Sequence, residues 1–132
     1  MKFGTLKSTV LFSALILAVF FTASCSKSGG NSSVAYPKNV TILYKLTPSG
    51  GYTTGDVGYL NETGSVTYLT NQSLPFTKQI TRTVNKNDAA SLNVSSIGNG
   101  SIKLEIFVDG NLVKTETPSG NVVNTTIVHL FQ

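Results

Sequence analysis

The sequence predicts an all-β domain: one antiparallel β-sandwich of seven or eight strands, immunoglobulin-like or transthyretin-like in outline, with a small barrel as the alternative. Three observations carry that expectation. Apolar and polar residues alternate with a period of two along most of residues 38–132. Gly, Pro, Asn and Asp interrupt the alternation every ~8–12 residues, the spacing of turns in a strand-rich fold. Finally, residues 101–116 alternate up to Asp109-Gly110 and then alternate again, the strongest short-range hairpin signal. No window beyond the N-terminal leader has helical periodicity.

Residues 1–24 read as a lipoprotein signal peptide. Lys2 and Lys7 form a short basic region, residues 10–21 are an apolar run, and Thr22-Ala23-Ser24 supplies small residues before Cys25. The run is shorter than the ~20 residues that cross a bilayer comfortably. Cys25 is the only cysteine, and it stands where a bacterial lipobox is acylated, for example with palmitate. Thr22 replaces the usual Leu of that motif. Ordinary secretion, with Cys25 incidental, is the competing reading. Residues 25–37 would then be the lipidated cysteine and a flexible Ser/Gly/Asn-rich tether, and residues 38–132 the domain. The tether has no acidic block, which points to a lipid-anchored place in the cell envelope, on the outer membrane facing the periplasm.

The strands follow in order. Val40, Ile42, Tyr44 and Leu46 form the first, which is expected to stop at Pro48-Ser49-Gly50-Gly51. Residues 52–60 are the second, with Gly55 and Gly58 hinting at a bulge. Residues 65–70 are the third. In residues 76–84, Phe76, Ile80 and Val84 share a face with Lys78 and Arg82. Ala90, Leu92 and Val94 begin another strand, Gly98-Asn99-Gly100 leads into the hairpin, and residues 122–131 close the chain. A two-residue turn at Asp109-Gly110 sets Ile106 opposite Val113, Leu104 opposite Thr115 and Phe107 opposite Leu112. On the same register Glu105 faces Lys114 and Lys103 faces Glu116.

A resemblance enters on three short segments. Val57-Gly58-Tyr59-Leu60-Asn61-Glu62-Thr63-Gly64, Leu74-Pro75-Phe76-Thr77-Lys78 and Ile106-Phe107-Val108-Asp109-Gly110 resemble the extracytoplasmic domain of the mycobacterial membrane protein small family. That family carries a Tyr-x-x-x-x-Gly segment, a Leu-Pro-aromatic segment and a late Val-Asp-Gly hairpin on a β-sandwich. The resemblance spans roughly residues 41–116 and implies an accessory role beside a lipid- or siderophore-exporting transporter. This chain has an acylation cysteine in place of the family's membrane-spanning anchor, and it lacks the family's paired domain cysteines.

Composition narrows the function classes. Without Lys2 and Lys7, eight basic residues stand against six acidic ones, a charge of +2. No Lys/Arg cluster reads as a nucleic-acid footprint, so no nucleic acid is expected as a partner. Asp56, Glu62, Asp88, Glu105, Asp109 and Glu116 are scattered, and His129 is the only histidine, in an apolar strand. No paired carboxylates, zinc spacing or phosphate-binding loop appears, so no catalytic, cofactor or metal residue is expected. Seven Asn-x-Ser/Thr triplets, at Asn31, Asn39, Asn61, Asn71, Asn93, Asn99 and Asn124, read as by-products of an Asn/Thr/Ser-rich β-protein.

What remains is a candidate interaction patch. Lys78 and Arg82, with Lys86, form a basic line that suits an acidic partner or anionic headgroups, or else guards a strand edge against aggregation. Phe107 and Leu112 form an apolar pair on the outer face of the hairpin. Two functions are open: a lipid-anchored, non-catalytic interaction module with an envelope partner, or a periplasmic carrier or sensor for a small apolar ligand.

Overall fold

β-Branched and aromatic residues at alternate positions build seven strands, which make up 77% of residues 35–132, the part that the computed structural model describes. They are β1 (Lys38–Gly50), β2 (Thr54–Leu60), β3 (Val66–Ser73), β4 (Phe76–Val84), β5 (Ala89–Val108), β6 (Asn111–Glu116) and β7 (Ser119–Leu130). No helix occurs among the described residues. The expected signal peptide of residues 1–24 and Cys25 lie outside them.

The expected all-β antiparallel fold is present, as one hydrogen-bonded sheet that curls. Its order is β3-β2-β5-β1-β4, with β6 and β7 also paired to β5. Residues 92–95 of β5 lie between β2 and β7, and residues 104–108 lie between β1 and β6. One long strand therefore serves two walls, β3-β2-β5-β7 and β4-β1-β5-β6. Their inner faces meet through Tyr44 and Tyr59, with ring centroids 5.6 Å apart, and through Tyr59 and Phe76 at 6.3 Å. The Tyr44 phenol donates to Leu60 O at 2.9 Å, tying β1 to the end of β2.

The core is the period-two face of β1, β2, β4, β5 and β7, with Leu69 of β3 and Val113 of β6 packed against it. Val40, Ile42, Tyr44 and Leu46 of β1 pack with Ile102, Leu104 and Ile106 of β5, and Val57, Leu92, Val94 and Ile127 complete the far side. Each such side chain contributes about 1.5–3 kcal/mol of burial.

Two local expectations change. Gly98-Asn99-Gly100 does not end a strand, because β5 runs through it with a bulge between Ile97 and Gly100. The bend is possible because Gly100 (φ +134°) passes directly against Gly50 (φ +91°), and a Cβ on Gly100 would lie 2.0 Å from Ser49 O. β1 likewise continues past Pro48 to Gly50.

The hairpin turn is where the sequence puts it, with Asp109 at φ 50° and Gly110 at φ 81°. Phe107 pairs with Leu112 as expected, but the ladder then slips: Ile106 pairs with Lys114, Glu105 with Thr115 and Leu104 with Glu116. The extra residue, Val113, packs against the core. Glu105 therefore does not face Lys114, nor Lys103 Glu116. Glu105 is instead buried, 2.6 Å from Lys103 Nζ and 3.8 Å from Lys45 Nζ. The hairpin tip is fixed to β1 because Asp109 Oδ1 accepts from Thr41 N at 2.8 Å and Asp109 N donates to Thr41 O at 2.9 Å.

Candidate functional site

The four residues of the expected patch do not come together. Phe107 and Leu112 lie on the outer face of the second wall, with Leu112 exposed and Phe107 half-buried. Lys78 and Arg82 belong to the inward row of β4, between and beside Phe76, Ile80 and Val84. Arg82 is only 8% exposed. Its guanidinium donates to Ala89 O, and a Cβ on Gly64 would come within 2.8 Å of its Nη1. Lys78 extends to Glu62 at 4.0 Å. Arg82 thus supplies no surface cation, which corrects that part of the basic line. Burial raises the nearby Tyr44 phenol to about 12, against the opposing pull of the Arg82 charge.

His129 lies half-buried on the inner face of β7, edge-on to Phe131 with centroids 5.0 Å apart. Desolvation, then the Lys38 charge, lower its pKa below 6.5 and favour the neutral ring. It lines a rim hollow of about 410 Å³ with Tyr36, Lys38 and Asp109. Asp109 Oδ1 accepts there from Thr41 N at 2.8 Å. Among the described residues, no three His, Cys, Asp or Glu side chains gather as metal ligands would.

The outer face of the first wall is more informative. Tyr68, Gly58, Asn93 and Thr126 form one row, each directly opposite the next on β3, β2, β5 and β7. Gly58 leaves a gap in this row, and Tyr68 leans into it: a Cβ on Gly58 would sit 2.9 Å from Tyr68 Cε1. Tyr68 is nevertheless 73% exposed. Asn93 Nδ2 donates to Thr126 Oγ1 at 2.9 Å and Thr125 O at 3.1 Å, which fixes the amide plane against β7. Asn124 stands one row away, opposite Ser95. Together these groups line a trough of about 340 Å³.

Apolar side chains surround it. Of the seven large apolar side chains exposed among the described residues, six lie on this face: Val66, Tyr68, Ile97, Val122, Val128 and Leu130. The seventh is Leu112. Set beside known proteins, the chain matches no family model and no curated protein.

Sequence reasoning missed this trough. Tyr68 was legible as a strand residue, and Asn93 and Asn124 as members of Asn-x-Ser/Thr triplets. Nothing in the linear order places them side by side, because the row needs the register of four strands.

Proposed function

We propose that this protein is a lipid-anchored bacterial envelope lipoprotein whose domain is a non-catalytic binding module. Anchoring rests on Cys25 behind the apolar run of residues 10–21. The observation that carries the module reading is where apolar groups are left over. The inner faces fill a single core, while the exposed apolar residues gather outside on one wall. The trough around Tyr68 lies on the outer face, bordered by exposed residues, which suits a surface contact better than a ligand held between the walls. The resemblance of residues 57–64, 74–78 and 106–110 to the mycobacterial membrane protein small family supports an accessory place beside an envelope transporter. In that role Phe107 and Leu112 form the protein-facing pair.

Fractionation tests the anchor. Cys25→Ala is expected to move the protein from the membrane fraction to the soluble extract, and retention after a carbonate wash would remove the lipid from the proposal. Native mass spectrometry tests the module. The purified protein should carry no apolar small molecule in its domain, and a stoichiometric one would establish the carrier reading instead.

A further inference from the structure

We infer that the trough on the outer face of the first wall binds the ring of a neutral carbohydrate. The inference rests on the binding-module reading and names the ligand of one surface.

Three features select this ligand class. First, every residue lining the trough is uncharged, and Asp56, opposite Ser95 on this face, accepts from Asn71 N at 2.8 Å. A charged headgroup, phosphate or acidic peptide would find no counter-charge there. Second, the trough combines an exposed aromatic ring with fixed amide and hydroxyl groups. The face of an aromatic ring is electronegative and suits the C–H face of a pyranose, the side of a sugar that carries weakly positive hydrogens. Because Tyr68 leans over Gly58, one edge of its ring rests on β2 while most of the side chain stays exposed. The Asn93 nitrogen is engaged by β7, so its oxygen is the atom left to accept from a sugar hydroxyl. Asn124 and Thr126 add donors and acceptors within the same hollow. Third, polar rows divide the apolar residues of this face. Ile97 pairs with Val122 at one end and Ser91 with Val128 toward the other, while Ser95–Asn124 and Asn93–Thr126 run between them. A protein partner or a second copy would bury those amides under an apolar surface, whereas a sugar offers each of them a hydroxyl. The volume, about 340 Å³, is at the small end of the range for small-ligand sites and fits a short oligosaccharide segment.

The test uses the full acylated chain in detergent and three fluorescent neutral probes: cellohexaose, mannohexaose and N-acetylchitohexaose. At least one should bind. Tyr68→Ala and Asn93→Ala should each weaken that probe about tenfold, the loss expected for one aromatic or one amide contact. Tyr68→Phe, which keeps the ring, should retain most of the affinity, and Gln79→Ala, at an exposed position of β4 on the other wall, should leave it unchanged. Thermal melts confirm that each variant is folded. If none of the three probes binds, or if the bound probe ignores Tyr68→Ala, the carbohydrate inference is overturned. Should Tyr68→Ala instead dissolve a dimer on size exclusion, the face is a contact between copies, and the binding-module reading survives without the sugar. A stoichiometric apolar ligand in native mass spectrometry would remove both.

Discussion

Replacing Gly100 with alanine should destabilise the domain far more than the same change at Gly110, although both glycines have positive φ. At Gly110 (φ +81°) an added Cβ meets nothing within 4 Å, so the cost is conformational alone, about 1 kcal/mol. At Gly100 (φ +134°) the Cβ would lie 2.0 Å from Ser49 O and 3.0 Å from Gly50 Cα. Backbone must move to admit it. The displaced strands also carry the Gly51 N to Asn99 O hydrogen bond of 2.6 Å. Conformational strain and weakened pairing together come to roughly 3–5 kcal/mol. A domain of this size holds only about 5–15 kcal/mol in total. Urea and thermal melts of the chain without residues 1–25 would read the difference. Gly110→Ala should lower the midpoint by about 5 °C and Gly100→Ala by about 15 °C or more. If the two variants melt together, β1 and β5 do not pass each other at Gly50 and Gly100, and the account of the bend fails.

Two further outcomes follow from the charges. Glu105→Lys should cost about 2 kcal/mol, because it sets a third cation in a buried position beside Lys45 and Lys103. Glu116→Lys, at an exposed site, should stay within about 0.5 kcal/mol, and equal losses in denaturant melts would restore the unbulged register. Burial holds the Tyr44 phenol protonated to about 12 against an ordinary 10.0, so the folded state keeps a proton that the unfolded chain loses first. Stability should therefore fall as pH rises between those values, and Tyr44→Phe should lessen that loss in alkaline melts while costing about 1 kcal/mol at neutral pH through the lost bond to Leu60 O.

Much of the fold is written in single strands. The alternation along residues 38–50 and 76–84 places Ile42, Tyr44, Ile80 and Val84 inside, and it puts Arg82 on the same row as the core. What it does not say is that Arg82 would be covered, because the cover comes from Gly64 and Ala89 on other elements. Gly98-Asn99-Gly100 has the chemistry of a break, and only the facing Gly50 turns it into a bend. Val113 offers no local reason to bulge, since its inward turn depends on the core beneath it. Gly58 was legible as a bulge signal, but the irregularity falls between Gly55 and Val57, and Gly58 is the gap that Tyr68 covers. The trough was hidden for the same reason: each of its residues is ordinary until the strands are aligned.

The sharing of β5 by both walls has a consequence for how the domain opens. A sandwich of two separate sheets can loosen one layer while the other keeps its ladder. Here the strand that completes one wall is the continuation of the strand that completes the other, so fraying that reaches β5 from either side strips partners from both. The outlying strands β3, β4, β6 and β7 each pair with a single neighbour and can fray first, but β6 and β7 do so at the expense of β5 itself. The remainder opens as one cooperative unit, with no half-open state in which one wall outlives the other.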